Sequence, residues 1–496
     1  MKIIIRHSSA FKPYETKLPI NWKANPYQNK NWMHHFNSLR WLLVENDQEL
    51  IESILRDFYK FHCLKNNNNP YYNALRGDHT AAIRLGVLVK LKDEFVSKNS
   101  ISGAGICNRL IKEELKNLQN EKMYRAGHNH GLMADIALLS LIKDAPEFRE
   151  RVDVDKVLDR SAKTLSSMWH SSGLTKEHSV SYQEFNLPIT VNYFRLISEL
   201  ELEVQLDLKL DDIINESKRF LGFALKENGE YFPLGESFRL PNLRILNEVY
   251  GSRDGLHSSA EKLLFPYSRQ DGVYSTADFF ILRRLINGKI VHFAATCCLN
   301  SGNHKKNDEL SFSLCIDGVT IIDTPGWSAF ASDAVNSYIS SEFAHSGIFI
   351  PDISFSAIEE HTEGGCGFLP FDYSKDTCTG RHSRFNGVSV FRTFRVSSDA
   401  LIVNDKLISE INLRFVTSRM ILAQGVELEL RSDNSAVLRK GDIRIDIEVV
   451  QEKSGFFMTC GSKVVSTDKT QVDDAVALDY IRAGAQEVDF ILKWGW

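Results

Sequence analysis

Residues 276–295 read TADFFILRRLINGKIVHFAA. Two apolar runs flank Asn287-Gly288, a dipeptide that readily takes the two left-handed positions of a tight hairpin turn. The next stretch, 309–326, is ELSFSLCIDGVTIIDTPG. It sets Leu310, Phe312, Leu314 and Ile316 at period two and turns at Asp317-Gly318, so a second hairpin is expected. The same period recurs in GVSVFRTFRV (387–396), in LELRSDNSAVLRKGDIRIDIEVV (428–450) and in the terminal DFILKWGW. From about residue 270 onward the chain therefore reads as antiparallel strands.

Upstream the period changes. Segments 31–46, 47–64 and 154–174 carry apolar residues three and four apart, and GLMADIALLSLIKD lines up Leu132, Ile136, Leu139 and Ile142 on one stripe. Gly251, Gly255 and the turn between them mark a break. Helices first and strands afterwards predict an α+β multidomain chain, with a helical domain over 1–255 and an antiparallel β-sandwich over 256–496.

Composition bounds the function. The chain has 496 residues, 43% hydrophobic and 25% charged, which is ordinary globular usage. With 59 Lys+Arg against 64 Asp+Glu the net charge is −5, so the basic footprint of a nucleic-acid binder is absent. There is no apolar run of 18 residues and no membrane insertion is expected. The N-terminal apolar stretch, Ile3-Ile4-Ile5, is too short for a signal core. A cytoplasmic location is the expectation, or a periplasmic one if the N-terminus is incomplete. Eight scattered cysteines without a CxxC pair read as free thiols, and Cys297-Cys298 as packing. Nucleophile-elbow, phosphate-loop, HExxH and GxGxxG patterns do not occur.

Four segments hold unusual polar groups. Ala126-Gly127-His128-Asn129-His130-Gly131 enters an apolar helix, where unpaired N–H groups suit an anion; the plain alternative is that Asn129 caps the helix. Gly173 to Gln183 sets Tyr182 amid Lys176, Glu177 and His178, a setting for acid–base work or for a packed, hydrogen-bonded phenol. Ser301 to Glu309 carries His304, Lys305 and Lys306, as a site or as a solvated charge run. Asp323 ends an apolar strand and needs a partner, for which His345 is one candidate.

In this order the segments resemble the heparinase II/III-like polysaccharide lyases. Trp22-Lys23-Ala24-Asn25-Pro26 with Trp32 and Trp41, Asn129-His130-Gly131, Glu177 to Tyr182, His304 to Phe312, Asp323 to Gly326 and Ala344-His345-Ser346 are similar to that family's successive motifs, over roughly residues 20 to 400. The resemblance implies an incomplete (α/α) toroid followed by an antiparallel β-sandwich. It implies cleavage of a uronate-containing acidic polysaccharide or oligosaccharide by β-elimination, leaving a 4,5-unsaturated uronate. Tyr182, His304 and Asn129 would be catalytic, with Asn129, His130 and Lys305 binding the substrate carboxylate. Donors aimed at the charge that builds there are worth roughly 3–4 kcal/mol each. Two departures stand out. Lys306 replaces a histidine that, with an aspartate and a later histidine, holds a structural zinc in metal-containing members. No cofactor is therefore firmly expected, a structural zinc being the alternative, and Lys306, Asp323 and His345 are expected to form a structural cluster in place of the metal. Gln183 replaces a common histidine. The sequence also allows a non-catalytic polysaccharide-binding or assembly protein on the same scaffold, and thirdly a glycoside hydrolase using Glu177 and Glu236. Oligomeric state is not legible.

Overall fold

In the computed structural model the Asn287-Gly288 turn has φ +50° and +84°, and it joins strands Phe279–Ile286 and Lys289–Thr296 in register from Ile286–Lys289 to Phe279–Thr296. Asp317-Gly318 repeats the device at φ +48° and +80°, pairing Ile316 with Val319. The structure describes residues 2–6, 11–64, 77–251, 259–297, 304–328, 333–356, 365–451, 457–466, 472–485 and 487–496. The expected turn at 252–255, Cys298 and Ser301 to Asn303 lie outside them, as does the 255/256 boundary.

By packing the chain forms two units: Met1–Ser171 with Ile189–Leu210, and Ser172–Pro188 with Asp211–Trp496. Among the described residues the first unit is a succession of helices, chiefly Gln48–Tyr59, Asp78–Ser97, Ile101–Leu118, Asn129–Asp144 and Val154–Met168, after a short N-terminal antiparallel pairing of Ile3–Ile5 with Tyr14–Thr16. Polar caps start them: Asp47, Ser100 and Asp153 accept from backbone N–H groups of the first turn. The Trp22 motif is structural. Trp22 and Trp32 are buried, both stack on Phe36, and the Trp22 indole donates to Asp57 at 3.0 Å.

The second unit is a sandwich of two antiparallel sheets. One runs in the order Phe457–Ser466, Val472–Ala483, Phe415–Leu422, Val319–Ile322, Ser311–Ile316, Lys289–Thr296, Phe279–Ile286, Gly272–Ser275, with Ile348–Phe349 beside Phe415–Leu422. The other runs Glu427–Ser432, Ser435–Lys440, Ile443–Val450, Val488–Trp494, Ala400–Ser409, Val388–Val396, Thr377–Phe385, Cys366–Phe368. Phe280, Phe293, Phe312 and Phe394 meet between the sheets, with Phe293 and Phe394 centroids 4.9 Å apart.

The outer face of the first sheet is also covered. Ile281, Ala294 and Cys315 share a second core with Phe220, Phe223, Phe232 and Leu234. Strand Ser311–Ile316 is consequently buried at every position, which is why its period-two run alternates large apolar residues with Ser and Cys rather than with charges. Helix Leu210–Ala224, helical in period, thus packs with the sheets. Helix Val180–Glu199 contributes its residues up to Pro188 to the sheet-bearing unit and those from Ile189 to the helical unit.

Candidate active site

Tyr182 sits in the first turn of helix Val180–Glu199, and its ring lies flat on the imidazole of His304, with centroids 3.4 Å apart and planes 16° from parallel. His304 Nδ1 is 2.7 Å from Glu236 Oε2, and Nε2 is 3.8 Å from Glu177 Oε2. A phenol, an imidazole and two carboxylates are thus gathered from residues up to 127 positions apart, within one unit. His304 has φ +55° and His178 φ +53°, left-handed backbone that costs a non-glycine residue of order 1 kcal/mol.

Local chemistry explains why these segments meet. Ser179 Oγ donates to the Glu236 carbonyl at 2.9 Å and lies 2.9 Å from Ser237 Oγ. The Ser181 N–H donates to Ser237 Oγ at 3.2 Å, and the Phe238 N–H to Ser181 Oγ at 2.8 Å. Gly235 is held at φ +63° against the His178 carbonyl oxygen, where a Cβ would collide. Gln183, the substituted histidine, is a buried brace: its Oε1 accepts from the Thr175 N–H at 2.7 Å and its Nε2 donates to Ser217 Oγ at 2.6 Å.

Burial, then the charges of Glu236 and Glu177, push the Tyr182 phenol well above its ordinary value. Lys305 does not reach toward a ligand: its ammonium is buried in ion pairs with Asp308 at 2.8 Å and Glu309 at 3.0 Å. Arg384 also binds Glu309. The solvated-loop alternative for 305–309 fails with it, since Lys305, Lys306, Asp308 and Glu309 are all buried.

Asp323 is paired, but by a residue that the sequence reading passed over. Arg239 Nη1 reaches Asp323 Oδ1 at 3.0 Å and Nη2 reaches Oδ2 at 3.0 Å, both groups being buried. Lys306 donates instead to the Gly326 carbonyl, and burial lowers its ammonium to about 8, with Asp308 the main opposing charge. Burial lowers His345 to about 3, and the carboxylate acting on it is that of Asp308. The expected cluster of Lys306, Asp323 and His345 is therefore corrected to an Arg239–Asp323 pair beside a separate Lys305–Lys306–Asp308–His345 group. This donor set does not fit a zinc ion: the aspartate is held by a guanidinium and an ammonium occupies the third ligand position.

Asn129 and His130 belong to the helical unit. The cap of helix Asn129–Asp144 is His128, whose Nδ1 accepts the His130 N–H at 3.1 Å. Asn129 is thus the first helical residue, 2% exposed, and the capping alternative does not hold for it. His130 stands in a row of rings unseen in the sequence: His34–His79, His79–His130 and His128–His130 centroids are 4.2, 4.6 and 4.5 Å apart. Burial lowers His34 to about 4 and His79 to about 2, with the neighbouring cations adding to it. Both are neutral in the folded chain where an unfolded imidazole would gain a proton. Stability in this region is therefore full above pH ~6.5 and falls as the pH drops toward the folded values. By pH 5 the loss is about 1–2 kcal/mol per histidine. Hydrogen exchange should show residues 30–37 and 78–97 opening faster at pH 5 than at pH 7, and His79→Gln should flatten that difference.

The family model described as heparinase II/III-like, C-terminal, matches residues 274–482. No curated protein gives a significant sequence match. Among solved structures, heparinase III is similar over 96% of this chain and 79% of its own, at 14% identity and a TM-score of 0.70. A mutant of heparan sulfate lyase HepC from Pedobacter heparinus is similar over 99% and 81%, at 13% identity and 0.67. The chondroitin AC lyase of Streptomyces coelicolor A3 in complex with chondroitin sulphate is similar over 94% and 74%, at 10% identity and 0.53. The fold is the polysaccharide-lyase combination of a helical toroid and an antiparallel β-sandwich. Within it, the segment similar to the heparinase II/III-like C-terminal family model lies in the sheet-bearing unit.

Proposed function

We propose that the protein is a polysaccharide lyase that cleaves an acidic, uronate-containing polymer or oligosaccharide by β-elimination. The observation that carries this is the stacked Tyr182–His304 pair with carboxylates on the imidazole edge. Elimination needs a base for the proton at C5 and an acid for the leaving oxygen at C4. Histidine is the serviceable base near neutrality. A phenol raised by burial and by two carboxylates keeps its proton until an alkoxide-like oxygen asks for it, so Tyr182 is the acid. The C5–H bond breaks as His304 Nε2 takes the proton. The electron pair forms the C4–C5 double bond, and the C4–O bond breaks. Tyr182 then protonates the departing oxygen, and proton return from imidazolium to phenolate resets the pair. For the substrate carboxylate the assignment from sequence, Asn129, stands as part of the proposal. Asn129 supplies a donor without adding a titrating group.

A glycoside hydrolase would use Glu236 as a carboxylate facing the sugar, but Glu236 is hydrogen-bonded to His304. The test is product analysis on a panel of uronate polysaccharides, including capsular and O-antigen preparations. A near-ultraviolet-absorbing unsaturated uronate is the expected product. A saturated reducing end, or binding without cleavage, would replace the lyase reading.

A further inference from the structure

We propose that Glu236 is the positioning residue of the site, fixing the tautomer and orientation of His304 so that Nε2 presents its lone pair. The proposal rests on the lyase reading and goes one step further, to a residue that the resemblance assigns no role. A carboxylate has acceptors only. At 2.7 Å from Glu236 Oε2, Nδ1 must therefore carry the imidazole hydrogen in the neutral ring, and Nε2 the lone pair. Free histidine does not choose this tautomer by itself; a partner on the other nitrogen sets it. This is the logic of a base oriented by a third group, reached with a glutamate.

The carboxylate is built in rather than incidental. The loop that carries it is clamped by Ser179, Ser181 and Ser237, and the Tyr182 N–H itself donates to Ser179 Oγ at 3.2 Å. Acid, base and orienting carboxylate therefore share one hydrogen-bonded frame. Gly235 permits the loop to close against His178, which puts Glu236 in reach of the ring. Glu177, 3.8 Å from Nε2 and buried, is too distant for a hydrogen bond to the ring. It attracts the imidazolium once the proton has arrived, so the charged ring lies between two carboxylates.

The test uses the full chain labelled with nitrogen-15 histidine, the His304 signals being those lost in His304→Gln. The wild type should show a protonated Nδ1 and a pyridine-like Nε2. Glu236→Ala should shift the ring to mostly Nε2–H, and Glu236→Gln, whose amide oxygen still accepts, should keep the wild-type tautomer. On a polymer that the wild type cleaves, Glu236→Ala should lower kcat on the order of 10²-fold with KM nearly unchanged, and Glu236→Gln should recover part of the loss. An unchanged tautomer in Glu236→Ala, or wild-type kcat in that variant, overturns the proposal. Failure of the wild type to cleave any polymer sinks the lyase reading instead, while the tautomer measurement still decides the role of Glu236.

Discussion

Tyr182→Phe should abolish formation of the unsaturated product, lowering kcat by about 10³-fold or more while leaving KM within a few-fold. That is about 4 kcal/mol of transition-state stabilisation. The leaving oxygen departs as an alkoxide unless a proton meets it, and Tyr182 is the donor stacked against the base. The substitution is conservative where it needs to be. Phenylalanine keeps the face-on contact with His304 and the edge contact with Phe185 at 5.9 Å, so no cavity opens. Thermal unfolding should match the wild type, separating a chemical loss from a structural one. Steady-state kinetics on any substrate found by product screening reads the result. Retention of most activity would take Tyr182 out of the mechanism, and a large rise in KM with unchanged kcat would make it a binding group.

The sandwich was legible because two hairpin turns, Asn287-Gly288 and Asp317-Gly318, fix strand direction locally and the period-two runs fix the inward face. Tyr182 and His304 were legible as residues, since a phenol and an imidazole in polar segments need no partner to be noticed. Their surroundings were not. Arg239 is 84 residues from Asp323 and Glu236 is 68 from His304, and a loop without periodicity gives no hint of which distant group it meets. Lys305 to Glu309 reads as a solvated charge run, because burial of a matched set of opposite charges leaves no trace in composition. The packing of helix Leu210–Ala224 with the sheets was hidden for a different reason. Helix Leu210–Ala224 has the apolar period of any amphipathic helix, and that period reports a buried face without reporting that a sheet covers it.

Arg239→Met should destabilise the sheet-bearing unit by about 3–5 kcal/mol, the largest stability effect expected of any single change near the site. It leaves a buried carboxylate on Asp323 without its guanidinium, and an uncompensated buried charge is what makes breaking such a pair costly. Arg239 Nη2 also donates to the Thr324 carbonyl at 3.1 Å, and Thr324 Oγ1 donates to the Pro233 carbonyl at 3.0 Å. The pair therefore ties the 233–239 loop, which carries Glu236, to the end of strand Val319–Ile322. Loosening it should lower turnover as well as stability, since His304 would lose its fixed carboxylate. The decisive comparison is the double variant Arg239→Met with Asp323→Leu. Replacing both members by apolar groups removes the stranded charge, and stability should return to within about 1–2 kcal/mol of the wild type. Denaturant titration of the four chains in the cycle measures the coupling. Equal destabilisation in the single and double variants would mean that Arg239 acts through packing and its carbonyl contact, not through Asp323. Asp323 would then need another source of charge compensation.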